Sequence, residues 1–291
     1  MIHIDNIDGH RTVVHPFDPS EGTEREEVVV NVQGYILRCN LPPIYRSEQL
    51  PKNTLAAKQS VMLTGLNCEA FNTAGRAIIE IHSYLSSTLP DGSLQAWTPA
   101  KDEGSICLEF SNRYFMSGDR VDELDSIPFT KEVDPKGILH GHMQGLAHTE
   151  ENEVLYFEKS RSMDLKTYTY TACHPISIRP GQLVELQVTF GTVPISKGRH
   201  IMLSKIRSIC IISRQVQDVS KANKYARVQS IQDINTDVFD KIKNPPVSPL
   251  KKVKRRVGYM TSADAANETA GALKRLRLTD SSSDIDKMTD E

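Results

Sequence analysis

The sequence predicts a mainly β protein, an antiparallel β-sandwich or barrel followed by a disordered C-terminal tail. Three observations predict it. Apolar residues between about 27 and 214 recur mostly with period two, as in strands that bury one face. Turn chemistry separates these runs, at Pro42-Pro43, Pro90-Asp91-Gly92, Asp134-Pro135-Lys136-Gly137, Pro180-Gly181 and Lys197-Gly198. Beyond Pro245 the aromatics nearly vanish and charge, Ser, Thr and Ala take over, a composition that cannot bury a core.

Taken in order, residues 1–25 are polar and turn-rich and read as a flexible leader. The β-rich globular domain follows at 26–216, long enough for a single core. Val28, Val30 and Val32 open it, alternating with Val29, Asn31 and Gln33. The run 75–85, with Ile78, Ile79 and Ile81, is rich in β-branched residues and reads as strand-like. The runs 106–110 and 154–158 are short strands, and 166–173 interleaves Tyr168 and Tyr170 with threonines. After Pro180-Gly181, residues Val184, Leu186, Val188 and Phe190 form an apolar face. Leu183, Glu185, Gln187 and Thr189 form the other, mostly polar, so one buried face is expected there. The run 206–212 is denser and reads as a central strand buried on both faces. No long amphipathic helix stands out. Residues 217–243 form a linker, helical at most in part, and 244–291 the tail.

The stretch 180–187, followed by Ile206-Arg207-Ser208-Ile209, resembles one that recurs in uncharacterised, often multicopy proteins of mushroom-forming fungi. The resemblance covers about a tenth to a quarter of the chain. It implies a shared β-rich fold and no activity.

The formal charge of −2 hides an asymmetry: residues 241–291 carry eleven Lys/Arg against seven Asp/Glu, leaving −6 for residues 1–240. An acidic body is a poor surface for tracking a phosphate backbone, whereas a basic arm suits targeting or contact. The five cysteines are scattered, with no Cys-x-x-Cys pair, so neither a disulfide framework nor a zinc knuckle is readable. Reduced, mostly buried thiols are expected. Without a signal-peptide pattern, or the roughly 18 apolar residues of a membrane helix, a soluble intracellular protein with no membrane partner is the expectation.

The tail carries the address. Lys251, Lys252, Lys254, Arg255 and Arg256 put five cations in six residues, the short basic form that importins read on an extended chain. Ser248-Pro249-Leu250-Lys251 has the form favoured by a proline-directed kinase, with Ser248 as acceptor. Lys274, Leu276 and Leu278 have the spacing of a cyclin-docking peptide. Ser281 and Ser283 precede Asp284 and Asp286 by three residues, the pattern of acidophilic kinases. Phosphate on Ser248 would place close to two negative charges three residues before the basic cluster and weaken receptor contact.

In the body, His140 and His142 would share one face if their segment were a strand, a pair that a cupin-like metalloenzyme would complete with a carboxylate and a distant histidine such as His200. The interval from His142 to Glu150 is too long for the usual cupin spacing, so two hydrogen-bonded or surface histidines are the plainer reading. No phosphate loop or nucleophile elbow occurs, and no cofactor is expected. Lys166, Tyr168 and Tyr170 would share a strand face as a base-stacking strip. The leading expectation is a non-enzymatic nuclear protein whose β-rich domain binds a macromolecule, most simply an as yet unknown protein partner. The alternative is a nucleic-acid-associated protein, with an oligonucleotide-binding-type barrel or a DNA-contacting tail. The metalloenzyme stands third.

Overall fold

The computed structural model describes residues 3–7, 10–16, 25–102, 104–117, 125–161, 167–215 and 254–259. The elements run β1 (His3–Ile7), β2 (His10–Val14), β3 (Val30–Asn40), β4 (Lys58–Thr64), α1 (Glu69–Ser87), β5 (Ala100–Asp102), β6 (Ser105–Arg113), β7 (Met116–Ser117), α2 (Ile138–Gly141), β8 (Leu146–Ala147), β9 (Leu155–Arg161), β10 (Tyr168–Ala172), β11 (Leu183–Pro194) and β12 (His200–Ser213). The protein is mainly β, as its alternating runs predict.

Its strands form one large mixed sheet rather than two stacked ones. The order is β10-β9-β12-β11-β3-β4-β6-β5, with the β1–β2 hairpin joined to β11 through β2. The hairpin thus brings part of what reads as a leader into the sheet. Every pairing is antiparallel except β9 with β12, where Ser208 to Ile211 run alongside Leu155 to Glu158. The sheet curls without closing into a barrel. β6 and β12 are not neighbours in the order, yet they meet: the Ser204 hydroxyl donates to the Glu109 carbonyl, and the Asn112 amide to that of Ile206. β7 and β8 form a separate two-stranded ribbon.

The run 75–85 is not a strand but part of α1, the 19-residue helix over Glu69–Ser87. Its buried positions are Phe71, Gly75, Ile78 and Leu85, spaced by threes, fours and sevens as a helix requires. β-branched content suggests a strand; the wider period, visible only from Phe71 onward, decides for the helix. Phe71 seats the helix on β3 and β4. A Cβ placed on Gly34 would lie 2.8 Å from its ring, so only glycine allows that approach. Val32, Ile36, Leu63, Leu108, Phe110, Val184, Leu186, Val188 and Ile209 complete the main core around the helix.

β11 departs from expectation in an informative way. Val184, Leu186 and Val188 are fully buried, but on the opposite face Gln187 and Thr189 are buried too, at 8% and 1% exposure. The cause is a second covering layer, which includes residues 254–259.

Candidate functional site

The covered face begins with Arg207, which is 1% exposed in its side chain. A charge taken that far from water must be paired on all sides. Its Nη2 donates to both carboxylate oxygens of Glu27, at 3.1 and 2.9 Å, and to Glu151 Oε2 at 3.1 Å. Its Nε donates to the Thr189 hydroxyl and its Nη1 to the Glu151 carbonyl. Lys205 reaches Glu151 Oε2 at 3.3 Å. Burial alone would push the Glu27 carboxyl up, but Arg207, Arg255 and Lys205 outweigh it and hold it at about 2. Burial, with Arg207 beside it, brings the Lys205 ammonium down to about 8.

Onto this cluster the chain lays a segment from far downstream. Lys254 runs parallel beside Glu26: its amide donates to the Arg25 carbonyl at 2.7 Å, and its carbonyl accepts from the Glu27 amide at 2.8 Å. That pairing fixes the register of residues 255–259. The Arg255 side chain, 14% exposed, turns inward; its Nε donates to Glu27 Oε2 at 2.8 Å and its Nη2 to Glu151 Oε1. Arg256 points outward at 83% exposure and meets Glu26 at 3.0 Å. Gly258 is held by Gln187 through two bonds, its amide donating to Oε1 at 2.7 Å and its carbonyl accepting from Nε2 at 3.3 Å. Its φ of +97° favours glycine, while a Cβ there would make only ordinary contact with Phe157 and Leu155, at 3.4 and 3.5 Å.

Tyr259 ends the described segment. Its ring stacks on Tyr170, 4.5 Å between centroids and 12° between planes, and meets Phe157 edge-on at 5.3 Å. Its hydroxyl donates to Glu185 Oε1 at 2.5 Å. Burial, and after it the carboxylate of Glu185, push that hydroxyl far above its ordinary range, so it stays a donor. Between the arginine and tyrosine anchors a small cleft of about 120 Å³ remains, lined by Glu150, Glu153, Leu155, Arg207, Arg255 and Val257. Burial, and then the neighbouring Glu150, raise the Glu153 carboxyl above its usual value.

Of the basic cluster, Lys254, Arg255 and Arg256 lie in this site, while Lys251 and Lys252 fall outside the described residues. So do Ser248, Ser281, Ser283, Lys274, Leu276, Leu278 and Lys166. Tyr168 and Tyr170 stand on β10, at one end of the sheet. Tyr170 is covered by Tyr259, whereas Tyr168 is 57% exposed with Lys159 Nζ 4.1 Å over its ring.

His140 and His142 lie on and just after the helical turn α2. The strand that would aim both imidazoles one way is therefore not formed there, since residues two apart on a helix point to nearly opposite sides. The turn forms because the Asp134 carboxylate accepts from the Ile138 and His140 amides, at 2.7 and 2.9 Å. His148 is buried with Nδ1 on the Tyr114 carbonyl and its ring stacked on Phe129. Among the described residues no group of three or more His, Cys, Asp or Glu could hold a metal ion. All five cysteines are free thiols.

Sequence reasoning did not find Glu27, Glu151, Gln187 or Arg207. The one available signal was an arginine in the middle of the most apolar strand, Ile206-Arg207-Ser208-Ile209, which demands a buried carboxylate. Comparison of the chain with protein-family models, with curated proteins and with solved structures finds no match.

Proposed function

We propose that this is a non-enzymatic nuclear protein whose β-rich body binds another protein and whose C-terminal arm carries import and kinase signals, with the body masking the address it carries. The observation behind this is the seating of Arg255. An import receptor takes a basic cluster as extended chain, with cations entering acidic, aromatic-lined slots. The body offers the same chemistry: paired backbone at Lys254, two carboxylates for Arg255, and an aromatic stack for Tyr259. Lys254 and Arg255 cannot serve both surfaces at once, so docking and import compete. Phosphate on Ser248 would add close to two negative charges three residues before the basic cluster and weaken receptor contact.

Nuclear accumulation of reporter fusions tests this. Residues 241–291 alone should drive a reporter into nuclei, the full chain should do so less, and Tyr259→Ala in the full chain should restore entry. That variant leaves every cation of the cluster in place. A 241–291 fusion that stays outside nuclei removes the address, and equal entry by all three removes the masking.

A second reading, contact with nucleic acid, is favoured by the exposed Tyr168 with Lys159 over its ring. Binding of the full chain to single-stranded nucleic acid that survives near-physiological salt and is lost in Tyr168→Ala would support it. Binding confined to low salt would leave only a nonspecific basic arm.

A further inference from the structure

The surface under residues 254–259 has the parts of a peptide-recognition site, and each of its polar parts is also held by a residue of the body. Arg207 already orients Glu27 and Glu151, so the arginine socket is set from beneath by a side chain that is 1% exposed. Gln187 is positioned by the Ser208 hydroxyl, which donates to its Oε1 at 2.8 Å, before it meets Gly258. Glu185 is steadied by the Gln33 amide at 2.6 Å and presents its other oxygen to Tyr259. Three anchors are therefore preorganised: carboxylates for an arginine, an amide for a glycine with positive φ, and an aromatic stack with a carboxylate for a tyrosine. The spacing they read is Arg-x-x-Gly-Tyr.

The fit is incomplete at one position. Val257 lines the cleft shared with Glu150 and Glu153, and its short apolar side chain offers those carboxylates no charge. Glu153 holds its proton more tightly than usual because burial and Glu150 both oppose its charge. A lysine or arginine in place of the valine would bring a cation into the cleft those carboxylates line and oppose that repulsion. The arm is thus a serviceable occupant, not the best one.

We propose that this groove recognises extended segments of the form Arg-x-(Lys/Arg)-Gly-Tyr in a partner protein, and that the chain's own residues 254–259 occupy it until such a segment displaces them. This rests on reading the body as a protein-binding module and names the partner's chemistry. Arm and body belong to one chain, with residues 216–253 between them in sequence. An intramolecular occupant competes at an effective concentration of up to about millimolar, so a better-matched segment can still win. A phosphate backbone is a poor competitor here, since Glu26, Glu27, Glu150, Glu151 and Glu153 all border the site.

Fluorescence anisotropy with labelled peptides on the full-length chain tests the site. The probes are the segment 254–259 and the same segment carrying Val257→Lys. Tyr259→Ala and Gly258→Ala, two changes confined to the arm, vacate the groove. Each vacated chain should bind the native peptide at least tenfold tighter than the unaltered chain does. The Val257→Lys peptide should bind several-fold tighter again, and that gain should vanish in a Glu150→Gln/Glu153→Gln chain. Peptides with Arg255→Lys or Tyr259→Ala should lose about tenfold or more. Vacated chains that keep the parent's thermal transition yet bind no peptide would overturn the proposal, as would binding indifferent to the peptide's arginine and tyrosine. Equal affinity of the two probes would remove the basic position from the motif. The binding measurement does not involve import, so a failure of masking in nuclei and a failure of recognition here are separate results.

Discussion

A guanidinium that is 1% exposed cannot be left without a counter-charge, and Arg207 decides the chemistry around it. Removing Glu27 would strip its closest carboxylate and also free Arg255. Glu27→Ala should therefore destabilise the body by about 3–5 kcal/mol in denaturant unfolding, the usual range for a broken buried pair. Glu27→Gln should cost less but change the acid response. The Glu27 carboxyl titrates at about 2 when folded against an ordinary 4.5, so the unfolded chain takes up the proton first as pH falls. Its contribution is fully present above about 4.5 and is lost as pH drops toward 2. That shift corresponds to roughly 3 kcal/mol. Glu27→Gln should flatten the stability profile across that window; an unchanged slope would mean the carboxylate is not paired.

At the scale of elements, two glycines are required for different reasons, Gly34 by a close approach and Gly258 by its φ of +97°. Gly34→Ala in β3 would drive a methyl into the Phe71 ring, with Leu63 also close at 3.1 Å. Overpacking of this kind costs about 1–3 kcal/mol, and a lowered denaturation midpoint would show it. Gly258→Ala should leave the body's stability nearly unchanged, because it strains only the docked arm. The strands were legible because one-sided burial writes period two into the sequence, as in Val184, Leu186, Val188 and Phe190. The helix α1 was not, because Ile78, Ile79 and Ile81 mimic a strand when Phe71 and Leu85 are left out of the window. The parallel β9–β12 pair carries no local signal at all. Neither does the second covering of β11: Gln187 and Thr189 look like solvent-facing residues until a segment far along the chain is laid over them.

For the molecule as a whole, the asymmetry between an acidic body and a basic arm turns out to have a local focus. Arg255 joins Glu27 across 228 residues, a separation at which no spacing rule applies, so the tail's cations were readable and their seat was not. The outer contact, Arg256 with Glu26, is 83% exposed on the arginine side and should contribute little in salt. Arg255, Gly258 and Tyr259 are sheltered, so docking should weaken only modestly between low and near-physiological ionic strength. A steep salt dependence of docking would instead point to loose surface attraction. The central claim is that residues 254–259 dock on the body, and amide hydrogen exchange of that segment in the full-length chain tests it most directly. The Lys254 and Gly258 amides, which donate to Arg25 and Gln187 at 2.7 Å each, should exchange slowly, and Tyr259→Ala should speed both. Exchange of both amides in the unaltered chain at the rate of an unstructured peptide would contradict it.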